Sequence, residues 1–300
     1  MIAVFGSINI DLVFTLPSLP RPGETVVGTS YRTVPGGKGA NQAVAAVRDG
    51  AKVAMIGRVG RDSFGTMMRD SLREAGVKLS GVLDSEAPTG CAVVCVDGEG
   101  RNLIAVAGGA NLTARAANIP EELLGPGTTL LLQMEVPVAE IQAAARRARA
   151  KGARVILGLG PALKLPLETF RDVDVLVANE IEAAALIAAA PSALAQRLAE
   201  ALKITVIVTL GEKGAVAAGP QGCLQIGALP IKPVDTTAAG DQFTGVFAAS
   251  IDRGLPLRDA LRRASVAAGL ACLVPGAQPS LQHAAAIEAR LDDLAPAVAV

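Results

Sequence analysis

Short apolar runs rich in Val, Ile and Leu recur along the chain, separated by longer stretches whose apolar residues repeat at helical spacing. The runs Ile2–Phe5, Lys52–Ile56, Thr129–Leu132, Arg154–Leu157, Val173–Ala178 and Thr205–Thr209 read as buried strands. Between them, Asn41–Asp49, Ser63–Ala75, Val138–Lys151 and Ser192–Leu202 read as helices. A strand that is apolar on both faces needs cover on both. The rhythm therefore predicts an α/β fold, with a mostly parallel central sheet flanked by helices on both faces. Two segments, 11–35 and 89–106, break it with period-two alternation punctuated by Pro and Gly, as in Ala92-Val93-Val94-Cys95-Val96. They predict a small antiparallel β lid on a single domain spanning residues 1–300. The apolar tail Leu294–Val300 is expected to dock or fray.

Charge narrows the partners. With 28 basic and 28 acidic residues, the chain has no basic excess of the kind a nucleic-acid binder carries. No apolar run is long enough for a membrane helix, and Met1-Ile2-Ala3-Val4-Phe5-Gly6 reads as a first strand rather than a secretory leader, so a cytoplasmic location is expected. Cys91 and Cys95 lie on one face of a strand at a separation of roughly 13 Å, too far for a disulfide or a shared metal. Cys223 and Cys272 sit in apolar surroundings, which predicts reduced, partly buried thiols. His283 is the only histidine and falls on a polar-patterned stretch, which removes histidine-based metal sites and Ser-His-Asp catalysis.

Neither a G-x-x-x-x-G-K-[ST] loop nor a G-x-G-x-x-G after the first strand is present, so the ligand of this sheet is bound in another way. Two strings supply candidates. In Asp235-Thr236-Thr237-Ala238-Ala239-Gly240-Asp241 small residues open a helix, and free N–H groups there form an anion hole suited to a phosphoryl group. Asp241, in the same turn, can take a proton from an attacking hydroxyl, although an ordinary capped helix would read the same way. Gly36-Gly37-Lys38-Gly39-Ala40-Asn41 combines exposed backbone donors with the side chains of Lys38 and Asn41, as a polyol site needs; a flexible Gly-rich turn into a helix is the plain alternative.

These two strings, in this order and spacing, resemble the signatures of the ribokinase family of carbohydrate kinases. The likeness extends over nearly the whole chain, through Gly6-Ser7-Ile8-Asn9-Ile10-Asp11, Gly60-Arg61-Asp62-Ser63-Phe64-Gly65, Asn179-Glu180-Ile181-Glu182, Thr209-Leu210-Gly211-Glu212-Lys213-Gly214 and Gly276-Ala277-Gln278-Pro279-Ser280. The resemblance implies ATP-dependent transfer to a primary hydroxyl of a furanose, ribose foremost, with Asp241 as base and the N–H groups of Ala239, Gly240 and Asp241 as the phosphoryl hole. It implies that Asn9, Asp11, Gly37, Lys38, Asn41 and Glu135 hold the sugar. It assigns Asn179, Thr209, Gly211, Gly214, Gly240 and Ser265 to the nucleotide, and Glu182 to magnesium through water. Asp235, Thr237, Ala271, Val274, Gly276 and Ser280 would hold a monovalent cation, with potassium expected. A homodimer formed through the lid is implied as well.

Three stretches depart from the pattern. Close relatives carry Asn-Pro-Ala-Pro where this chain has Gly158-Leu159-Gly160-Pro161, and Thr-Phe-Asn where it has Gln242-Phe243-Thr244; the turn at Ile187–Pro191 is also shortened. They leave fructose, a 2-keto sugar acid or a nucleoside as other acceptors. They also leave open a sensor that keeps the fold without turnover.

Overall fold

The structure, a computed structural model, describes all 300 residues. The first half runs β1 (Ile2–Phe5), β2 (Asn9–Thr15), β3 (Ser30–Gly36), α1 (Lys38–Arg48), β4 (Val53–Gly60), α2 (Ser63–Glu74), β5 (Lys78–Ser85), β6 (Gly90–Val96) and β7 (Asn102–Ala107). Then come β8 (Thr129–Gln133), α3 (Val138–Ala150), β9 (Arg154–Gly158), β10 (Val175–Asn179), α4 (Glu180–Leu186), α5 (Leu194–Leu202) and β11 (Thr205–Thr209). The chain finishes with β12 (Ala215–Gly219), β13 (Gly222–Ile226), α6 (Ala239–Asp252), α7 (Leu257–Ala271), α8 (Ala284–Glu288) and β14 (Val298–Ala299).

The central sheet has the order β14-β13-β12-β11-β10-β9-β8-β1-β4-β5. From β11 to β5 every pairing is parallel, while β12, β13 and β14 extend the far edge antiparallel. Alternation along β1 shows why its run is apolar throughout. Ile2 and Val4 pack with Val44, Phe243, Phe247 and Leu261 of α1, α6 and α7, whereas Ala3 and Phe5 pack with Ile141 and Leu198 of α3 and α5. Both faces are dry, as the sequence rhythm requires.

Four strands escaped the sequence reading. Strand β5 is half exposed at the sheet edge, β12 is short and built largely of Ala and Gly, β13 is equally short and mostly half-exposed, and β14 is a two-residue pairing of the tail onto β13. Such segments carry little β propensity, and their neighbours in space define them. The tail therefore docks, with Leu294 and Ala297 buried.

The lid is a separate four-stranded sheet, β3-β2-β6-β7. Its outer pairings, β2 with β3 and β6 with β7, are antiparallel, whereas the central β2–β6 pair is parallel. That central pair joins segments far apart in sequence, so no hairpin signal announces it. The lid leaves Tyr31, Leu103, Ile104 and Val106 exposed, and Phe14 stacks on Tyr31 at 5.6 Å between ring centroids.

Strand order reverses beside β1. The chain first builds β4 and β5 on one side of it, then crosses to β8 and continues outward. At such a switch point the loops after adjacent strands part and leave a crevice at the carboxyl ends. Ser7 follows β1, Gln133 ends β8 with Glu135 two residues on, Gly158 ends β9, Asn179 ends β10 and Thr209 ends β11. Helices α1 and α6 pack on each other and bring their N-terminal turns to the same edge.

Candidate active site

A cleft of about 220 Å³ opens at this edge and is lined by Lys38, Gln42, Gly158–Gly160, Asn179, Glu182, Thr209, Gly240 and Asp241, among others. Its floor is the first turn of α6. The residue before that helix, Ala238, sits in the left-handed region with φ 60°, a conformation a non-glycine residue adopts only at a cost. This twist turns the helix N-terminus toward the cleft. The N–H groups of Gly240 and Asp241 have no protein acceptor, whereas Ala239 N–H donates to Thr236 O at 3.2 Å. The tight turn at Ala238 brings Thr236 O back onto the Ala239 N–H, which leaves Gly240 and Asp241 as the donors without a protein acceptor in this turn.

Asp241 is 7% exposed, and consecutive residues of α1 hold it. Asn41 Nδ2 donates to Oδ2 and Gln42 Nε2 to Oδ1, both at 3.0 Å. The sugar-side candidates gather around it. Glu135 and Asp241 lie close enough to Asp11 to act on its carboxyl, with Lys38 among them. Burial, followed by the neighbouring Glu135 and Asp241 charges, raises the Asp11 carboxyl from 3.8 to about 7, with Lys38 opposing. Asp241 is the main cause that pushes the Lys38 ammonium up, and it outweighs burial.

Asn9 is buried, and its Oδ1 accepts from Asn111 Nδ2 at 2.6 Å; Asn111 in turn accepts from Ile8 N–H at 2.9 Å. Gly37 has φ 88°, and a side chain there would run into Asn9 N, so this turn carries backbone only. Glu135 Oε2 accepts from Ser7 Oγ at 2.6 Å and from Lys38 N–H at 3.1 Å, which ties the start of α1 to β1.

Lys38 stands between the sugar-side carboxylates Asp241, Glu135 and Asp11 and the Glu182 side of the cleft. A Cβ at Gly160 would stand 2.9 Å from both Lys38 Nζ and Glu182 Oε1, so the lysine lies across the space that a residue larger than glycine would fill. The Gly158–Gly160 departure thus widens the cleft under Lys38. Asn179 and Glu182 form a reciprocal capping box for α4, each accepting from the other's N–H at 2.9 Å. One Glu182 oxygen caps the helix and the other faces the cleft. Thr209 lines the cleft as well.

The remaining nucleotide candidates lie outside the lining. Ser265 is buried within α7. Gly211 and Gly214 shape the turn after β11, and Gly214 takes φ 89° beside Ile226 O, where any side chain would collide. The cation candidates form a cluster of their own. Asp235 accepts from Thr237 N–H at 2.9 Å, from Thr237 Oγ1 at 2.6 Å and from Gly276 N–H at 2.8 Å. Burial alone would raise the Asp235 carboxyl, but these hydrogen bonds outweigh it and hold it low. Ala271 O accepts from Val274 N–H, and Ser280 Oγ donates to Ala277 O at 2.7 Å. Gln242 reaches this loop: it is fully buried and accepts from Gln282 N–H at 3.3 Å, without lining the cleft.

Sequence reasoning passed over Gln42, Gln133 and Asn111. Each is a polar residue inside an apolar or small-residue run, and that was the available signal.

An acid in the first turn of a helix, with a lysine and further carboxylates beside it at the carboxyl edge of the sheet, is an arrangement suited to phosphoryl transfer to a hydroxyl. The chain belongs to the pfkB family of carbohydrate kinases, whose pattern matches residues 1–284. It is 38% identical to the ribokinase of Bacillus subtilis, over 92% of this chain and 94% of that protein. Among solved structures, the ribokinase of Thermotoga maritima superposes with a TM-score of 0.90 at 32% identity, covering 97% of this chain and 99% of that one. Arabidopsis thaliana ribokinase, complexed with ribose and ATP, gives 0.85 at 31% identity, covering 97% and 98%.

Proposed function

We propose that the chain transfers the γ-phosphoryl group of ATP to the 5-hydroxyl of ribose. The observation that carries this reading is Asp241, held by Asn41 and Gln42 beside the unpaired Gly240 and Asp241 N–H groups. A base and a donor pair for phosphoryl oxygens are the two parts an in-line transfer needs from the protein. Relatives named ribokinase, and one bound to ribose and ATP, point to the acceptor and the donor.

In this reading Asn9, Asp11, Gly37, Asn41 and Glu135 orient the sugar under the lid. Asp241 accepts the hydroxyl proton as the oxygen attacks phosphorus and ADP departs. Gly240 and Asp241 N–H groups receive the charge on the transferring group. Lys38 neutralises the path between acceptor and phosphates, and Asn179 and Thr209 line the donor side. Magnesium arriving with ATP would supply charge neutralisation at the phosphates. Glu182 would hold it through water, which fits a carboxylate whose second oxygen is already used as a cap. A potassium ion among the carbonyl-rich turns of Asp235, Thr237, Ala271, Val274, Gly276 and Ser280 fits the donor chemistry there, since Asp235 already joins the two loops. The exposed apolar strand β7 would pair two copies through their lids. No helix is long and apolar enough to cross a membrane.

A coupled ADP-release assay with ATP, Mg²⁺ and K⁺ against a panel of sugars and nucleosides tests the proposal. Ribose should give the highest kcat/KM. Asp241→Asn should lower kcat by about a thousandfold or more, with KM values within a few-fold. A tenth of wild-type turnover in that variant would sink the role of Asp241, and release independent of sugar would sink the acceptor.

A further inference from the structure

We infer that Gln133 and Gln42 form a positioning relay that anchors Oδ1 of Asp241 and so leaves Oδ2 as the oxygen that receives the acceptor's proton. The inference rests on Asp241 as the base.

Gln133, the last residue of β8, is completely buried, and Gln42 of α1 is 3% exposed. Gln133 Nε2 donates to Gln42 Oε1 at 2.8 Å, and Gln42 Nε2 donates onward to Asp241 Oδ1 at 3.0 Å. A terminal amide can present either its oxygen or its nitrogen to a neighbour. The Gln133 donor removes that choice: it occupies the Gln42 oxygen and turns the nitrogen toward the carboxylate. Gln133 is itself wedged, because its Oε1 lies against the bare Cα of Gly6, where a Cβ would overlap it. That oxygen has no hydrogen-bond partner. An apolar side chain would fill the same space without leaving a buried acceptor unsatisfied, so packing does not explain the amide.

The other oxygen is held less firmly. Asn41 Nδ2 donates to Oδ2, but Asn41 Oδ1 has no partner and nothing supports the amide from behind. Each carboxylate oxygen carries one donor and keeps a second lone pair, so the oxygen whose donor can turn aside is the one an acceptor hydroxyl reaches more readily. Asn41 can turn to the sugar; Gln42, fixed at both ends, cannot. The proton then passes from the sugar hydroxyl to Oδ2. The electron pair of the broken O–H bond forms the new O–P bond as the bond from γ-phosphorus to the ADP oxygen breaks. Neither glutamine touches the reacting atoms; each acts through Asp241.

The test is a double-mutant cycle on the full chain, using Gln42→Met, Gln133→Met and both together, with Asp241→Asn alongside. Methionine nearly preserves the volume, and thermal melts report folding. We expect kcat to fall about 30-fold in Gln42→Met and about 10-fold in Gln133→Met. The double variant should be no slower than Gln42→Met alone, with KM for ribose and ATP within about threefold throughout. Kcat within twofold of wild type in either single variant, multiplying effects, or KM rising in step with the loss of kcat would overturn the relay. If Gln133→Met does not fold, Gln42→Leu replaces it in the test: a hydrocarbon cannot donate to Oδ1, so this variant must be about as slow as Gln42→Met, and turnover near wild type overturns the relay. An inactive Asp241→Asn beside glutamine variants of normal kcat removes the relay and leaves the base standing. An active Asp241→Asn removes both.

Discussion

Replacing Asp11 by asparagine should make the protein more stable above neutral pH while impairing sugar binding. Burial and the charges of Glu135 and Asp241 raise the Asp11 carboxyl from 3.8 to about 7. The folded state therefore holds this proton to higher pH than the unfolded chain does. Stability from the group is full below about pH 4 and is lost as pH climbs to about 7. At about 1.36 kcal/mol per pH unit, the interval corresponds to about 4 kcal/mol at most; water at the mouth of the site reduces this to about 2–4 kcal/mol. Asp11→Asn, close in shape and uncharged, removes the penalty. Urea unfolding without sugar or nucleotide, from pH 5 to 8.5, should show the variant's advantage growing from about 1–2 kcal/mol to that value. Ribose KM should rise at least about tenfold, because a carboxylate accepts hydroxyl hydrogen bonds more strongly than an amide. Parallel stability curves for the two proteins across this range would refute the argument.

Gly160→Ala places a methyl 2.8 Å from Lys38 Cε and 2.9 Å from Glu182 Oε1, both flexible ends. Its Tm should stay within about 2 °C while kcat/KM for ATP drops at least about fivefold, and unchanged steady-state kinetics would argue against a role for either side chain. Asp49 has a fully buried side chain that accepts from Arg263 Nη2 at 2.7 Å and Arg253 Nη2 at 2.6 Å. Asp49→Ala leaves Arg253 without its carboxylate and Arg263 with Glu288 alone, and should cost about 2–4 kcal/mol, lowering Tm by several degrees in calorimetry. Ile104→Glu puts a charge on the exposed face of β7, where the wild-type side chain is 56% exposed. If lids pair two copies, sedimentation should show the variant as a monomer beside a dimeric wild type, and an unchanged distribution would exclude that face.

The parallel core was legible because both faces of its strands are buried. Runs such as Ile2–Phe5 and Thr205–Thr209 must then be apolar at every position, and the spacing between runs must hold a helix. The helix that opens at Ala239 with Asp241 in its first turn was legible because its small residues and its acid are contiguous in sequence. What sequence could not supply is whatever depends on meetings between distant segments. The parallel β2–β6 pair, the closing of Thr236 O onto Ala239 N–H, and the placing of Lys38 among Asp241, Glu135, Glu182 and Asp11 are of this kind. So is the relay from Gln133 through Gln42 to Asp241, whose members stand 91 and 199 positions apart along the chain. Periodicity records which side of an element is dry. Which polar groups then share a buried pocket, and which way each amide must face, is decided when β8, α1 and α6 pack together and water is no longer there to satisfy them.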